Sequence, residues 1–135
     1  MKLYDVKKMR ILASILDGNI FLIDDFDMNQ VTTLQERIII IKPSQVRKML
    51  LRYLAGEITD FELNQWARFI CLRAEYTVPG GDDDSIHDFY EDMYYVIQRV
   101  STPEIDGDID EDRIQSYLDE LNAKYPTDPP EELCI

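Results

Sequence analysis

The chain has one histidine, two cysteines and no long hydrophobic run. Each shortage removes a class of function. His87 sits beside acids in a segment that reads as structural. A general base needs a nucleophile or a substrate pocket, and no motif marks either. His87 therefore reads as a solvated surface residue, and the chain is expected not to be an enzyme. Cys71 and Cys134 lie far apart with no C-x-x-C spacing, which suits two unpaired thiols in a reducing cytosol. No segment approaches the roughly 18–20 consecutive apolar residues that a membrane span needs. Met1 to Met9 is polar and lacks the apolar core of a signal peptide, so a cytoplasmic location is expected. The five glycines make no phosphate loop. Gly80-Gly81 lacks the following Lys and Ser/Thr, and Asp82, Asp83 and Asp84 would repel phosphate. No cofactor is expected.

Positive charge is also scarce, but only in one part of the chain. From Asp82 to Ile135 there are 17 acidic residues against Arg99, Arg113 and Lys124, a balance of −14. The preceding 81 residues carry 10 acidic and 11 basic residues, and the whole chain is at −13. A field this lopsided repels nucleic acid and anionic membrane, so neither is an expected partner. It attracts cationic proteins and speeds their encounter. Arg47, Lys48 and Arg52 form a modest basic face. Three charges do not make a phosphate footprint, and they are expected to pair with acids inside the molecule.

What is present argues for folding. A length of 135 residues suits one domain with one core, and 45% hydrophobic content with eight tyrosines argues against disorder. Lys42 to Gly56 reads as a helix with Pro43 in its first turn, Ser44 as its cap and Gly56 as its stop. Val46, Met49, Leu50, Tyr53 and Leu54 share its apolar stripe. Thr59 and Glu62 make a capping box that starts a second helix, with Leu63, Trp66, Ala67 and Ile70 buried. The short link between them predicts a tight αα-hairpin. Val6, Met9, Leu12, Ala13 and Leu16 suit a helix closed by Gly18, although Asp17-Gly18 would equally suit a β-hairpin. Ile38 to Ile41 suits either a short buried strand or a buried helical end. A third helix carries Ile86, Phe89, Tyr90, Met93, Ile97 and Val100 inward and stops at Pro103. A fourth runs from Asp108 to Asn122, with Ile114, Tyr117, Leu118 and Leu121 inward. The expected fold is mainly α: a small single-domain helical bundle over 1–125, with a minor strand element near 38–41. Residues 126–135 read as a Pro-rich acidic tail.

Two acidic features could carry chemistry. Asp106, Asp108, Asp110 and Asp112 alternate as in a calcium loop, but the register fails. Counted from Asp106, the sixth position is Glu111 where glycine is needed, and the twelfth is Tyr117 where a carboxylate is needed. These acids suit a helix start, and no metal site is expected. The third helix is the stronger candidate. With its buried stripe removed, Asp84, Asp88, Glu91, Asp92 and Tyr95 share one face, and Tyr94 borders it. Acids alone make a rim, whereas tyrosines supply binding energy at interface centres. These six residues form the candidate partner-binding site, and the partner implied is a basic protein. If Tyr94 and Tyr95 instead pack inward, the face is only solvated.

The stretch from Met49 to Leu63, MLLRYLAGEITDFEL, resembles the colicin D-type immunity proteins and their relatives in bacterial toxin–immunity systems. Those share a helix ending in a short turn, then Ile-Thr, then an acidic-aromatic helix start. Thr102 to Gly107, TPEIDG, is similar to a turn in small bacterial proteins of the same kind. Glu91 to Tyr95 is similar to the acidic, Tyr-Tyr helix of nuclease-colicin immunity proteins, although Val96 stands where that family has proline. The resemblance implies a cytoplasmic, non-enzymatic protein that blocks a basic toxin domain by covering its active site with an acidic surface. The alternative class is an acidic adaptor or nucleic-acid mimic. Mimicry needs acids at phosphate-like intervals along an extended face, which the clustering after Asp82 offers only in part.

Overall fold

Leu16-Asp17-Gly18 ends a helix and does not turn a hairpin. Gly18 takes φ +112°, and its N–H reaches back to the Ile15 carbonyl. A computed structural model, which describes residues 3–26 and 39–131, places the chain in this order. Helix α1 is Leu3–Leu16, α2 is Leu22–Asp25, and strand β1 is Ile39–Ile40. Helices α3 (Pro43–Leu54) and α4 (Asp60–Cys71) follow, then strand β2, Tyr76–Thr77. Helices α5 (Asp84–Ser101), α6 (Pro103–Asp106) and α7 (Glu111–Lys124) complete the described residues. The domain is mainly α, as its composition and periodicity predict. The minor strand element is real: β1 pairs in parallel with β2, Ile39 opposite Tyr76 and Ile40 opposite Thr77. Ile38 and Cys134 lie outside the described residues.

The α3–α4 hairpin forms as its capping signals require. Gly56 at φ +76° lets the Glu57 N–H bond the Arg52 carbonyl. Thr59 Oγ1 accepts from the Glu62 N–H at 3.1 Å, and Glu62 Oε1 accepts from the Thr59 N–H at 3.0 Å. Helix α4 packs chiefly on α5, and α7 chiefly on α3. Trp66, on α4, is buried and donates its indole N–H to the Ile15 carbonyl, tying α4 to the end of α1. Tyr76 donates its hydroxyl to the Leu12 carbonyl at 2.6 Å, and burial holds its phenol well above the usual pKa.

Three expectations change in detail. Ser44 does not cap α3. Gln45 Oε1 accepts from the Lys42 N–H, and the carboxylate of Asp128 accepts from both the Ser44 N–H and the Ser44 hydroxyl, at 2.8 and 2.6 Å. An anion at a helix start is favoured by the helix dipole, and here it comes from 84 residues downstream. Pro129 beside it is buried. Asp128→Ala is expected to cost about 1 kcal/mol, as lost helix caps do; a urea melt checks it. Secondly, Pro103 ends α5 but also opens the single turn α6. Thirdly, the basic face of α3 does not serve mainly acids. Lys48 donates to the Asp17 carbonyl and Arg52 to the Gly18 carbonyl at the end of α1, while Arg47 donates to the Tyr125 carbonyl at the end of α7. Helix C-termini present unpaired carbonyls and negative dipole ends, and these are what the cations satisfy.

Candidate functional site

Helix α5 is set by its entry turn. Gly80 at φ +122° lies so close to the next turn that a Cβ would sit 2.6 Å from the His87 nitrogen. His87 is therefore half-buried at this turn and is not the fully solvated residue expected. Asp83 then caps the helix, accepting from the Ser85 and Ile86 N–H groups at 3.1 and 3.2 Å. Beyond it Asp84, Asp88 and Asp92 are exposed on one side, with Glu91 half-buried between them. Tyr95 joins this face and is 45% exposed.

Tyr94 does not join it. Its ring is half-buried against α4, and burial together with Cys71 pushes its phenol pKa up to about 12. The Cys71 thiol is raised too, by burial first, with hydrogen bonds to Ser101 and Tyr94 opposing. A thiol so placed is a poor nucleophile. Phe89, expected inside, is instead 45% exposed. Tyr90 and Tyr125 meet it in T-shaped contacts, and the Lys124 ammonium lies 5.3 Å from its ring centre. Val96 takes the buried place.

Alongside this face, α5 and α7 part to leave a groove of about 910 Å³. Val96, Leu121 and Tyr125 line its wall, and Tyr95 and Ile105 stand at its edge. Ile105, on α6, is 79% exposed. Two ion pairs join the helices across it: Lys124 with Asp92, and Arg99 with Glu120 at 2.9 Å. The Arg99 guanidinium also lies 4.6 Å from the centre of the Tyr117 ring. Tyr125 donates its hydroxyl to the Phe89 carbonyl, and burial pushes its pKa up to about 12.

The alternating acids fold around a cation of the chain's own. Arg113 donates to the Asp106 and Asp108 carbonyls, each at 3.0 Å. Gly107 takes φ +114°, a conformation that favours glycine, and a Cβ there would fall 2.3 Å from that guanidinium and push it aside. Asp110 caps α7 through the Arg113 N–H. Among the described residues no three His, Cys, Asp or Glu side chains are grouped to hold a metal ion. Each of the three basic residues of the acidic part is thus engaged inside the molecule. Asp84, Asp88 and Glu91 meet no basic side chain among the described residues.

Sequence reasoning missed a second charged cluster altogether. Arg73 and Glu75 form a two-bond pair with side chains only 7% and 5% exposed. The guanidinium lies 4.5 Å from the Phe26 ring centre and 5.6 Å from that of Phe69. Buried Lys8 approaches the same Phe26 ring at 5.6 Å. The sequence signal was faint: two opposite charges two residues apart just before a strand. A small apolar hollow lined by Ile23, Phe61, Phe69 and Leu72 adjoins this cluster at Phe69. No family model, no curated protein and no solved structure matches this chain.

Proposed function

We propose that the chain is an immunity protein that acts in the cytoplasm. It binds a cationic bacterial toxin, a bacteriocin-like nuclease, and neutralises it by laying the acidic face of α5 over the active site. One observation carries this reading. The acidic excess survives folding, because Arg99, Arg113 and Lys124 are all spent on internal contacts. What remains outside is Asp84, Asp88 and Glu91 next to a half-exposed Tyr95. Charges steer a basic partner in, and an aromatic anchor supplies the contact energy.

The test is co-expression with the basic domain encoded by the neighbouring reading frame. Cells are expected to survive that domain only when this chain is present. In stopped-flow mixing the on-rate should fall steeply with added salt, since screening sets in within roughly 8 Å at physiological ionic strength. An on-rate indifferent to salt would remove the electrostatic argument. Inhibition of DNA-binding proteins at large, without protection from the toxin, would favour the nucleic-acid mimic.

A further inference from the structure

We propose that the groove between α5 and α7 is where the partner enters, and that Lys124 and Arg99 are stand-ins for cations the partner brings. This rests on the acidic-surface reading above and adds the point of entry and its chemistry. The occupant is a protein segment carrying arginine or lysine next to an aliphatic side chain.

Three observations meet at the groove. Its apolar wall, Val96 and Leu121, is bordered by Tyr95 and by Ile105, the most exposed large apolar residue described. An aliphatic side chain entering there would cover surface that is open among the described residues. Its only cations, Arg99 and Lys124, are each held by a carboxylate across the helix pair. Both carboxylates are more than half exposed at the side chain, Glu120 at 53% and Asp92 at 59%. Exposed pairs of this kind contribute about 0–1 kcal/mol, so a desolvated partner cation can displace them at little cost. Asp106 also lines it, Asp88 and Glu91 lie one turn before Asp92 and Tyr95 on α5, and exposed Glu104 precedes Ile105, so the surroundings match a basic occupant and no acidic one. The exchange is an ion-pair swap: Asp92 and Glu120 turn to the incoming cations, and Lys124 and Arg99 are released to water.

A swap makes a prediction that simple surface attraction does not. Removing a stand-in should strengthen binding. The probe is an acetylated, amidated peptide of alternating arginine and leucine, titrated by calorimetry at low salt. Lys124→Met keeps the packing on Phe89 and Tyr125 but frees Asp92. Its affinity is expected to rise roughly threefold to fivefold, the weight of one exposed pair. Lys7→Met, on the exposed side of α1, makes the same change in net charge and should leave affinity near the parent. Ile105→Ser should lower it about tenfold by removing the apolar contact. Amide shifts in the labelled protein should cluster at Tyr95, Gln98, Thr102, Ile105 and Ala123. Equal gains in Lys124→Met and Lys7→Met would reduce the effect to net charge and overturn the swap. Shifts confined to Asp82–Asp88 would overturn the groove. The same variants are scored for protection against the toxin domain. A parent that protects, with Ile105→Ser and Lys124→Met binding the toxin as the parent does, sinks the groove and leaves the immunity reading standing. Peptide binding in the groove without protection by the parent supports the groove and sinks the immunity reading.

Discussion

Met93→Asp is expected to abolish folding, whereas Tyr95→Ala, two residues further on, is expected to fold and to lose its partner. Met93 is completely buried in the α5 face that packs into the core. A carboxylate there has no cation to meet. Burying it unpaired costs several kcal/mol, comparable with the ~5–15 kcal/mol that holds a domain of this size together. Circular dichroism should show no cooperative melt. Tyr95 is 45% exposed at the edge of the groove. Its truncation should move the melt by no more than about 1 kcal/mol, as surface changes do, while partner affinity falls by about 2 kcal/mol or more. Asp92→Lys should also weaken binding. It sets a lysine against both Lys124 and the incoming cation, with little effect on the fold because the pair it breaks is exposed. A Tyr95→Ala variant that melts far below the parent would make Tyr95 a core residue. The two surface variants folding and binding as the parent does would move the interface to the acids of α7, Asp112, Asp119 and Glu120.

The largest stability loss from a single polar change is expected at Glu75→Ala. Arg73 would then sit between Phe26 and Phe69 without its two-bond carboxylate. Breaking a buried ion pair from one side costs about 3–5 kcal/mol, because the remaining charge stays desolvated. Arg73→Met should also destabilise, by removing the two-bond partner of Glu75. The double variant Arg73→Met, Glu75→Gln is expected to lose less than the sum of the two singles, since both singles break the same pair. Urea melts of the three variants measure it. Additive losses would mean that the two side chains do not act as a pair.

The helices were legible because their signals are local. The Thr59–Glu62 capping box, the Gly18 and Gly56 stops and the stripe of α5 all lie within a few residues of what they determine. The face Asp84, Asp88, Glu91, Asp92 and Tyr95 followed from the same periodicity. What periodicity cannot give is the cover that distant elements supply. Phe89 falls on the buried stripe by angle, yet with Tyr90, Tyr125 and Lys124 against it, it stays 45% exposed. Tyr94 borders the acidic face by angle, yet it turns inward to meet Cys71 on α4. The Asp128 cap and the pairing of Asp92 with Lys124 join residues 84 and 32 positions apart, and the groove lies between two separate helices. No local pattern announces such contacts. The cluster around Arg73 was hidden for a further reason. Buried charge is rare, so charged residues near a strand read by default as solvated.

The order in which the chain is made bears on when the proposed partner site can form. Helix α7, one wall of the groove, is moored to α3 by Arg47 on the Tyr125 carbonyl and by Asp128 on Ser44, contacts spanning 78 and 84 positions. The α3–α4 hairpin closes within a few residues and can assemble while the ribosome is still translating. The α7 wall cannot dock until residue 128 has cleared the exit tunnel, because long-range closures wait for both ends. A nascent chain would thus have its inner scaffold long before it has a place for the partner. On the proposed immunity reading, the interval before protection is governed by the docking of α7 and its anchoring at Asp128.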